Sequence, residues 1–190
     1  MQDKRSAILQ ATLELVAENG FHNTPVSKIA KQSRVSAGII YHYFDDKDDL
    51  IRALYAEIKK NLASVLMQGN PHLLPWPESL KRIWLNAYHY YAAHPRETRF
   101  LEQYENSPYF QGNEDPEYLL SLGDYADLVN MLQGAIGQGL VKPLPYGAFY
   151  DLTLGVAISL AKRKISGGLS LDEATLEMIA DAVCSAVAQG

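Results

Sequence analysis

The sequence predicts an all-α protein of about nine helices. Apolar residues recur at spacings of three and four along most of the 190 residues, which is the period of amphipathic helices. Proline and glycine interrupt these segments at intervals, and no stretch reads convincingly as a strand. The chain has no internal repeat, and it is long enough for one or two compact domains with a substantial core.

The first two helices are predicted from apolar spacing and from capping residues. Apolar positions between Ile8 and Val16 mark a helix that ends at Asn19-Gly20. Thr24 is expected to cap a second helix beginning at Pro25, because the N–H that proline lacks has no partner in a first turn anyway.

A third, very short helix follows at once. Ser36 is a suitable cap for a helix from Ala37 to about Tyr43. The turn at Ser33 to Val35 is therefore short, as the helix-turn-helix motif requires. In that motif the first turn of the second helix enters the major groove of DNA.

The residues of this hairpin divide into an inner and an outer set. Ile39, Ile40 and Phe44 are expected to face the core, whereas small and polar residues occupy the outer edge. A purely structural role for the aromatic residues is the alternative, favoured for Phe44 and left open for Tyr43, while Tyr41 is expected to be exposed. The candidate DNA contacts are Thr24, Ser27, Lys28, Arg34, Ser36, Ala37, Gly38, Tyr41, His42 and Lys47.

The rest of the chain is predicted to be helical, with boundaries set mainly by proline. Asp46 can cap a long connecting helix from Lys47 to about Gln68, and the three prolines between Asn70 and Pro77 prevent its continuation. A loop is expected at 108–115. The helices that follow the connecting helix are predicted at 78–93, from 95 to a point before 108, and at 116–138, 145–165 and 172–188, the last introduced by Ser170.

Overall charge does not indicate a general nucleic-acid binder, since the net charge is −5 and the pI about 5.5. The balance is locally reversed, because residues 1–44 carry five Lys or Arg against three acids. Such a small cationic region predicts modest non-specific DNA affinity and leaves specificity to base contacts and dimer geometry.

An aromatic stripe in the middle of the chain is a candidate ligand site. Trp84, Tyr88 and Tyr91 share one helix face with Leu80, and ordinary core packing is the alternative explanation. Twelve tyrosines against five phenylalanines favour a cavity filled by an amphipathic molecule, because many hydroxyl groups need partners. The candidate ligand-binding residues are Tyr55, Leu80, Trp84, Tyr88, Tyr91, Phe100, Tyr104, Tyr125, Asp151 and Leu154.

Asp151 lies in an almost wholly apolar stretch, which allows two interpretations. It is either a partly solvated acid in the first turn of a helix, or a counter-charge for a cationic ligand in the aromatic cavity. Cation–π contacts with Trp84 or the tyrosines would assist the second role.

Other classes of function find little support in the sequence. No Ser-His-Asp spacing, glycine-rich phosphate loop or pair of metal ligands appears, so neither catalysis, a metal nor a cofactor is expected. Cys184 alone cannot form an internal disulfide and is expected to be a buried apolar residue in a reducing cytoplasm. No apolar run is long enough to cross a bilayer, and we expect no membrane association.

Taken together, the N-terminal motifs resemble the DNA-binding domain of the TetR family of bacterial transcriptional regulators over about residues 3–50. Two positions depart from the family pattern: Arg34 stands where glycine is usual in the turn, and Ala37 where lysine is frequent. If Arg34 must adopt a positive φ, the departure costs about 1 kcal/mol. The series that carries the resemblance is Asn19-Gly20-Phe21, Thr24, Ile29-Ala30, Val35-Ser36, Gly38, Tyr41-His42-Tyr43-Phe44, Lys47 and Leu50.

The resemblance implies a DNA-binding domain at 1–46 and an effector-binding and dimerisation domain at 47–190. Its last two helices, about 145–188, would form a four-helix bundle with those of a second subunit. The implied function is a homodimeric repressor that leaves its operator when a small effector binds, and two-fold symmetry predicts that this operator is palindromic. The aromatic cavity indicates an aromatic or lipophilic effector, and Asp151 leaves a cationic one open. We further expect the connecting helix to pivot when the cavity fills, with Tyr55 sensing the ligand.

The alternative is a helical adaptor that uses the N-terminal hairpin to contact other proteins. Apolar stripes on the last two helices favour the bundle independently of the resemblance. These stripes are Leu154, Ala157, Ile158, Ala161 and Ile165 on one helix, and Leu171, Leu176, Ile179, Ala180, Val183 and Val187 on the other.

Overall fold

The computed structural model describes residues 3–110 and 125–189. Within these ranges the chain forms nine helices, and the only strand-like pairing is an isolated bridge between Val141 and Ala188. None of the described helices combines the length and the apolar character needed to cross a bilayer. The all-α prediction is confirmed.

Eight of the described helices are regular, and one contains a π turn. The helix α8 has two α-helical segments, Tyr146–Tyr150 and Val156–Ile165, joined by the π turn Asp151–Gly155. A short 3-10 turn, Pro71–Leu73, follows α4. The regular helices are α1 (Lys4–Asn19), α2 (Val26–Ser33), α3 (Ala37–Tyr43), α4 (Lys47–Leu66), α5 (Glu78–Ala93), α6 (Pro95–Glu105), α7 (Ala126–Gly137) and α9 (Glu173–Val187).

Capping residues set several boundaries as expected. The carboxylate of Asp46 accepts a 2.7 Å hydrogen bond from the amide of Asp49, which confirms the predicted start of α4. The cap of α9 is Asp172, which accepts a 2.8 Å bond from Thr175, rather than Ser170. The predicted loop at 108–115 and helix at 116–138 lie partly outside the described residues, and α7 ends one residue before the predicted boundary.

The described residues divide into two compact units. One contains residues 3–59 and 94–110, and the other contains residues 60–93 and 125–189. This division does not coincide with the functional boundary expected after residue 46, which therefore stays a prediction.

In the first unit, α1 packs against α2, α3 and α6. The core between them includes the fully buried side chains of Ile8, Ile29 and Ile40. Arg5 links α1 to the middle of α4, because its guanidinium lies 3.1 Å from Glu57, and it also covers the ring of Phe44 at 5.6 Å.

In the second unit, α5 packs against α8 and α9. Lys81 of α5 bridges Glu177 at 2.6 Å and Asp181 at 2.7 Å on α9, and these two carboxylates hold its pKa above the ordinary value. The end of the chain is also fixed, because the amide of Lys142 donates to the carbonyl of Val187 at 2.9 Å.

The π turn of α8 was not predicted from the sequence, which indicated an uninterrupted helix. The hydroxyl of Thr153 donates to the carbonyl of Phe149 at 2.7 Å, and the indole of Trp84 donates to the carbonyl of Thr153 at 3.1 Å. These side-chain bonds supply partners inside a turn that is wider than an α-helix. A side chain at Gly155 would bring its Cβ to 3.3 Å from the carbonyl of Tyr150, so glycine fits this crowded position.

Candidate nucleic-acid interface and cavity

The third helix begins at the predicted serine. The hydroxyl of Ser36 accepts a 3.4 Å hydrogen bond from the amide of Ile39, and the helix covers Ala37–Tyr43 as expected. Ile40 and Phe44 are buried, whereas Ile39 is only half-buried. The inner face of α3 is therefore confirmed in outline.

The turn before this helix adopts a left-handed conformation at Arg34, with φ 57° and ψ 36°. The amide of Val35 donates to the carbonyl of Ala30 at 3.1 Å, and the amide of Arg34 donates to the carbonyl of Lys31 at 3.3 Å. This pair of bonds defines the Schellman motif, in which the left-handed residue is usually glycine. The positive φ considered at this position is thus present, at a cost of about 1 kcal/mol for a residue with a Cβ.

Five of the ten candidate DNA contacts lie on an exposed surface that we call the reading edge. It comprises Ser36, Ala37, Gly38, Tyr41 and His42, all exposed, with Tyr41 at 55%. Ser27, Lys28 and Arg34 are also exposed on α2 and the turn. Their roles toward DNA stay predictions.

Thr24 and Lys47 differ from the other candidates. The side chain of Thr24 is fully buried and donates to the carbonyl of Gly20 at 2.8 Å, and α2 starts at Val26 with no side-chain cap. Lys47 is half-buried and donates to the carbonyl of Phe21, and burial lowers its pKa. We therefore correct the assignment of Thr24 as cap and phosphate donor, and we find Lys47 engaged within its own chain.

The second unit contains an apolar cavity of about 60 Å³. Of the predicted ligand-binding residues, Leu80 and Leu154 line it. Sequence reasoning missed the other lining residues, because nothing in their spacing distinguishes a cavity wall from packed core. These residues are Trp76, Ser79, Ile83, Leu128, Val129, Met131, Leu132, Tyr146, Phe149, Tyr150 and Thr153.

The other predicted aromatic residues of this unit are buried in the fold. Trp84 and Tyr88 are completely buried and stack at 6.2 Å, and Tyr91 and Tyr125 are also buried. The hydroxyl of Tyr88 has no hydrogen-bond partner among the described residues, and burial raises its pKa. None of these four residues lines the cavity, so for them the core interpretation fits better.

Tyr55, Phe100 and Tyr104 belong to the first unit and form part of its aromatic core. The rings of Tyr55 and Tyr104 stack at 4.0 Å, and Phe100 meets Phe21 edge-on at 5.7 Å. All three predicted ligand residues are buried by these contacts. The structure therefore gives Tyr55 a packing role where a ligand sensor was expected.

Asp151 is exposed at the start of the π turn and does not line the cavity. Its apolar neighbours in the sequence point elsewhere, because successive helical residues differ in direction by about 100°. The solvated alternative therefore fits Asp151, and we correct its assignment as a counter-charge for a bound cation.

The apolar stripes assigned to a dimer bundle are largely core. Leu176, Ala180, Val183 and Val187 of α9 are buried within the chain, as are Ala157 and Ala161 of α8. The large apolar side chains that remain exposed on these helices are Leu152 at 44% and Met178 at 65%. The other five residues of the stripes are half-buried, and the dimer bundle stays a prediction; they are Leu154, Ile158, Ile165, Leu171 and Ile179.

No group of three or more histidine, cysteine or acidic side chains in the described ranges could hold a metal ion.

Comparisons with known proteins agree with the arrangement of an N-terminal helix-turn-helix and a larger helical unit. The family model "Bacterial regulatory proteins, tetR family" matches residues 8–54, and "Tetracyclin repressor-like, C-terminal domain" matches residues 75–188. A TetR family transcription regulator from Marinobacter aquaeolei VT8 superposes with a TM-score of 0.88 at 26% identity, covering 98% of this chain and 96% of that one.

Two further similar proteins extend the comparison. A putative TetR family regulator from Vibrio parahaemolyticus superposes with a TM-score of 0.81 at 27% identity, covering 99% of this chain and all of the other. An uncharacterized HTH-type transcriptional regulator of Haemophilus influenzae is 29% identical over 109 residues, 57% of this chain and 58% of that protein. The chain thus spans less than two thirds of this curated relative. The family models together match most of the chain, which therefore belongs to the TetR family of bacterial transcriptional regulators.

Proposed function

We propose that the protein is a homodimeric repressor that binds a palindromic operator through α3 and leaves it when a lipophilic effector binds the second unit. The observation that carries the proposal is the reading edge, whose small and hydrogen-bonding side chains are all exposed. A surface that only contacts other proteins would not need small and hydrogen-bonding side chains exposed together directly after the turn of a helix-turn-helix.

The reading edge is shaped for close approach to a duplex. A Cβ added at Gly38 would meet only the hydroxyl of Ser36, at 3.9 Å, so packing within the chain does not require glycine there. The phenol of Tyr41 and the ring of His42 can donate to phosphates or bases, and Ser27 and Lys28 can donate from α2. Ala37 can contact a thymine methyl group but supplies no hydrogen bond.

A dimer is needed to place two such edges on one operator. Leu152 on α8 and Met178 on α9 supply exposed apolar surface on the two helices that family resemblance assigns to the interface. Two-fold symmetry would set the reading edges about 34 Å apart, one turn of DNA, and predicts a palindromic operator.

The cavity of the second unit suggests an uncharged, lipophilic effector. Its walls are almost entirely apolar, and the exposed position of Asp151 removes the reason to expect a cationic one. At about 60 Å³ it is smaller than the roughly 150 Å³ that holds benzene in an engineered protein cavity. Binding would therefore enlarge it, and the half-buried Leu128, Met131 and Leu132 of α7 form the wall that can yield.

The test of DNA binding uses the duplex upstream of the protein's own gene. We expect fluorescence anisotropy to show binding that weakens steeply with salt, and Tyr41→Ala to lower the affinity at least tenfold. The control is Leu73→Ala, which removes an exposed side chain far along the sequence from α3 and should bind normally. Lack of binding to any duplex would contradict the proposal and favour a protein-interaction adaptor.

The effector is tested separately with N-phenyl-1-naphthylamine, a neutral lipophilic dye. We expect its fluorescence to rise on binding, and Ile83→Trp, which fills the cavity, to abolish the rise. Dye binding that is equal in the two proteins would exclude this cavity as the effector site.

A further inference from the structure

The turn between α2 and α3 presents a conflict between backbone and side chain. Its Schellman hydrogen bonds require a left-handed residue between Ser33 and Val35, and glycine adopts that conformation without steric strain. The chain has Arg34 there instead, at φ 57°. An arginine held in an unfavourable backbone conformation calls for a compensating role of its side chain.

Within the protein the Arg34 side chain has no such role. It is exposed, and its guanidinium forms no hydrogen bond or ion pair with any residue in 3–110 or 125–189. The other non-glycine residue with positive φ in these ranges is Asn70, and asparagine tolerates this region well. Arg34 is thus strained without any visible benefit to the fold.

Its position explains the strain if the partner is a nucleic acid. In a helix-turn-helix the first helix crosses the phosphate backbone and the second enters the major groove, so the turn between them lies beside a phosphate strand. Arg34 lies two residues before Ser36, the first residue of the reading edge. Lys31 of α2 is also exposed and adds a second cation. A guanidinium can bind one phosphate through two parallel N–H donors.

We infer that Arg34 anchors the sugar-phosphate backbone of duplex DNA beside the reading edge, and that the strained turn is kept for this contact. The inference rests on the proposed function, since it requires DNA to dock on α3. The contact is independent of base sequence, so it contributes equally to operator and non-operator DNA. It is also one of the five Lys or Arg residues within 1–44, in a protein whose net charge is −5.

The experiment compares Arg34→Gly, Arg34→Lys and wild type on a 24-base-pair mixed-sequence duplex. Anisotropy titrations between 50 and 300 mM salt give the affinity and its salt dependence, and urea unfolding gives stability. We expect Arg34→Gly to lower the affinity roughly fivefold to tenfold near 0.1 M salt and to reduce the salt slope by about two, because a bound dimer loses two phosphate contacts. Its urea midpoint should rise, because glycine relieves the turn.

Arg34→Lys should bind with intermediate affinity and keep the full salt slope, since it retains the charge but not the two-pronged geometry. The control is Arg99→Gln, which removes an arginine from α6 that is also exposed. Arg99→Gln removes one positive charge per chain, as Arg34→Gly does, and should leave the salt slope unchanged.

The outcomes separate this inference from the proposed function. If wild type binds DNA and Arg34→Gly binds equally well with the same salt slope, the anchoring role is wrong while the regulator assignment stands. If affinity falls together with the urea midpoint, the turn itself has been damaged and the anchoring role is also rejected. If wild type binds no duplex at all, both the proposed function and the inference fail.

Discussion

The indole Nε1 of Trp84 donates a 3.1 Å hydrogen bond to the backbone carbonyl of Thr153, inside the π turn of α8. Both groups are fully buried. The bond joins α5 to the helix whose residues Phe149, Tyr150, Thr153 and Leu154 line the cavity. A side chain of α5 therefore stabilises the irregular part of the cavity wall.

Removing this bond is expected to destabilise the protein strongly. Trp84→Phe leaves the Thr153 carbonyl without its indole donor and opens a small cavity, for a loss of about 2 kcal/mol or more in the free energy of unfolding. The matched control is Trp76→Phe, which alters the half-buried tryptophan that lines the cavity. Urea unfolding measures both. Equal losses of unfolding free energy in the two variants would show that the hydrogen bond from Trp84 to Thr153 does not stabilise the protein.

Glu14 provides a prediction about pH. Its carboxylate accepts 3.0 Å hydrogen bonds from the amides of Gln10 and Gln32 and lies 3.4 Å from Arg96, and the two glutamine bonds are the main cause of its lowered pKa. Because the folded-state pKa is below the ordinary value, the stabilisation is complete above pH 4.5 and is lost as the pH falls through the lowered value.

We accordingly expect Glu14→Gln to be less stable than wild type at pH 7 and the difference to shrink steadily below pH 4.5. Urea unfolding of both proteins between pH 7 and pH 3 gives the two curves. A difference that stays constant over this range would mean that the charge of Glu14 is not responsible.

The proposed interface is tested by placing a charge at Met178. Met178→Glu should convert the dimer to a monomer at micromolar concentration, because the carboxylate would be desolvated between two subunits. Leu73→Glu is the control, since Leu73 is 74% exposed in a 3-10 turn outside α8 and α9. Sedimentation equilibrium distinguishes the species. A dimer that survives Met178→Glu would move the interface elsewhere.

Cys184 is expected to be chemically inert in the folded protein. It is buried, and burial with the neighbouring charge of Asp181 raises its pKa to about 11. At pH 8 only about one thiol in a thousand would then be ionised, and the thiolate is the reactive form. Reaction with dithionitrobenzoate should be at least a hundredfold faster in denaturing urea than in buffer. Rapid labelling in buffer would contradict the burial of this side chain.

Helix boundaries could be predicted well because they depend on local chemistry. The caps at Ser36 and Asp46, the prolines before α5 and the proline that begins α6 act within one helical turn. The local sequence therefore contains what decides these boundaries. The capping role of Thr24 was predicted wrongly because the local sequence offers two partners for its hydroxyl. Its hydroxyl could serve either the helix that follows or the carbonyl of Gly20 before it, and only the folded turn selects the second.

The cavity and the exposed apolar positions of α8 and α9 could not be predicted, because they depend on which side of each helix meets another helix. An aromatic stripe such as Trp84 and Tyr88 looks the same whether it faces a ligand or the core. The stripe on α9 is apolar as predicted, but its members Leu176 and Val183 are buried within the same chain. The exposed Met178, where we propose the interface, was not part of the predicted stripe.

The wide turn at 151–155 also bears on how this chain should be aligned with its relatives. A π turn holds one residue more than an α-helical turn. Because the turn absorbs this extra residue, the helical segments before and after it keep the same faces toward the core. A relative that is one residue shorter here would present the same faces at both ends of the helix. The natural place for an alignment gap in this helix is therefore the stretch between Tyr150 and Val156, and losing a residue there should disturb the fold far less than losing one from α5.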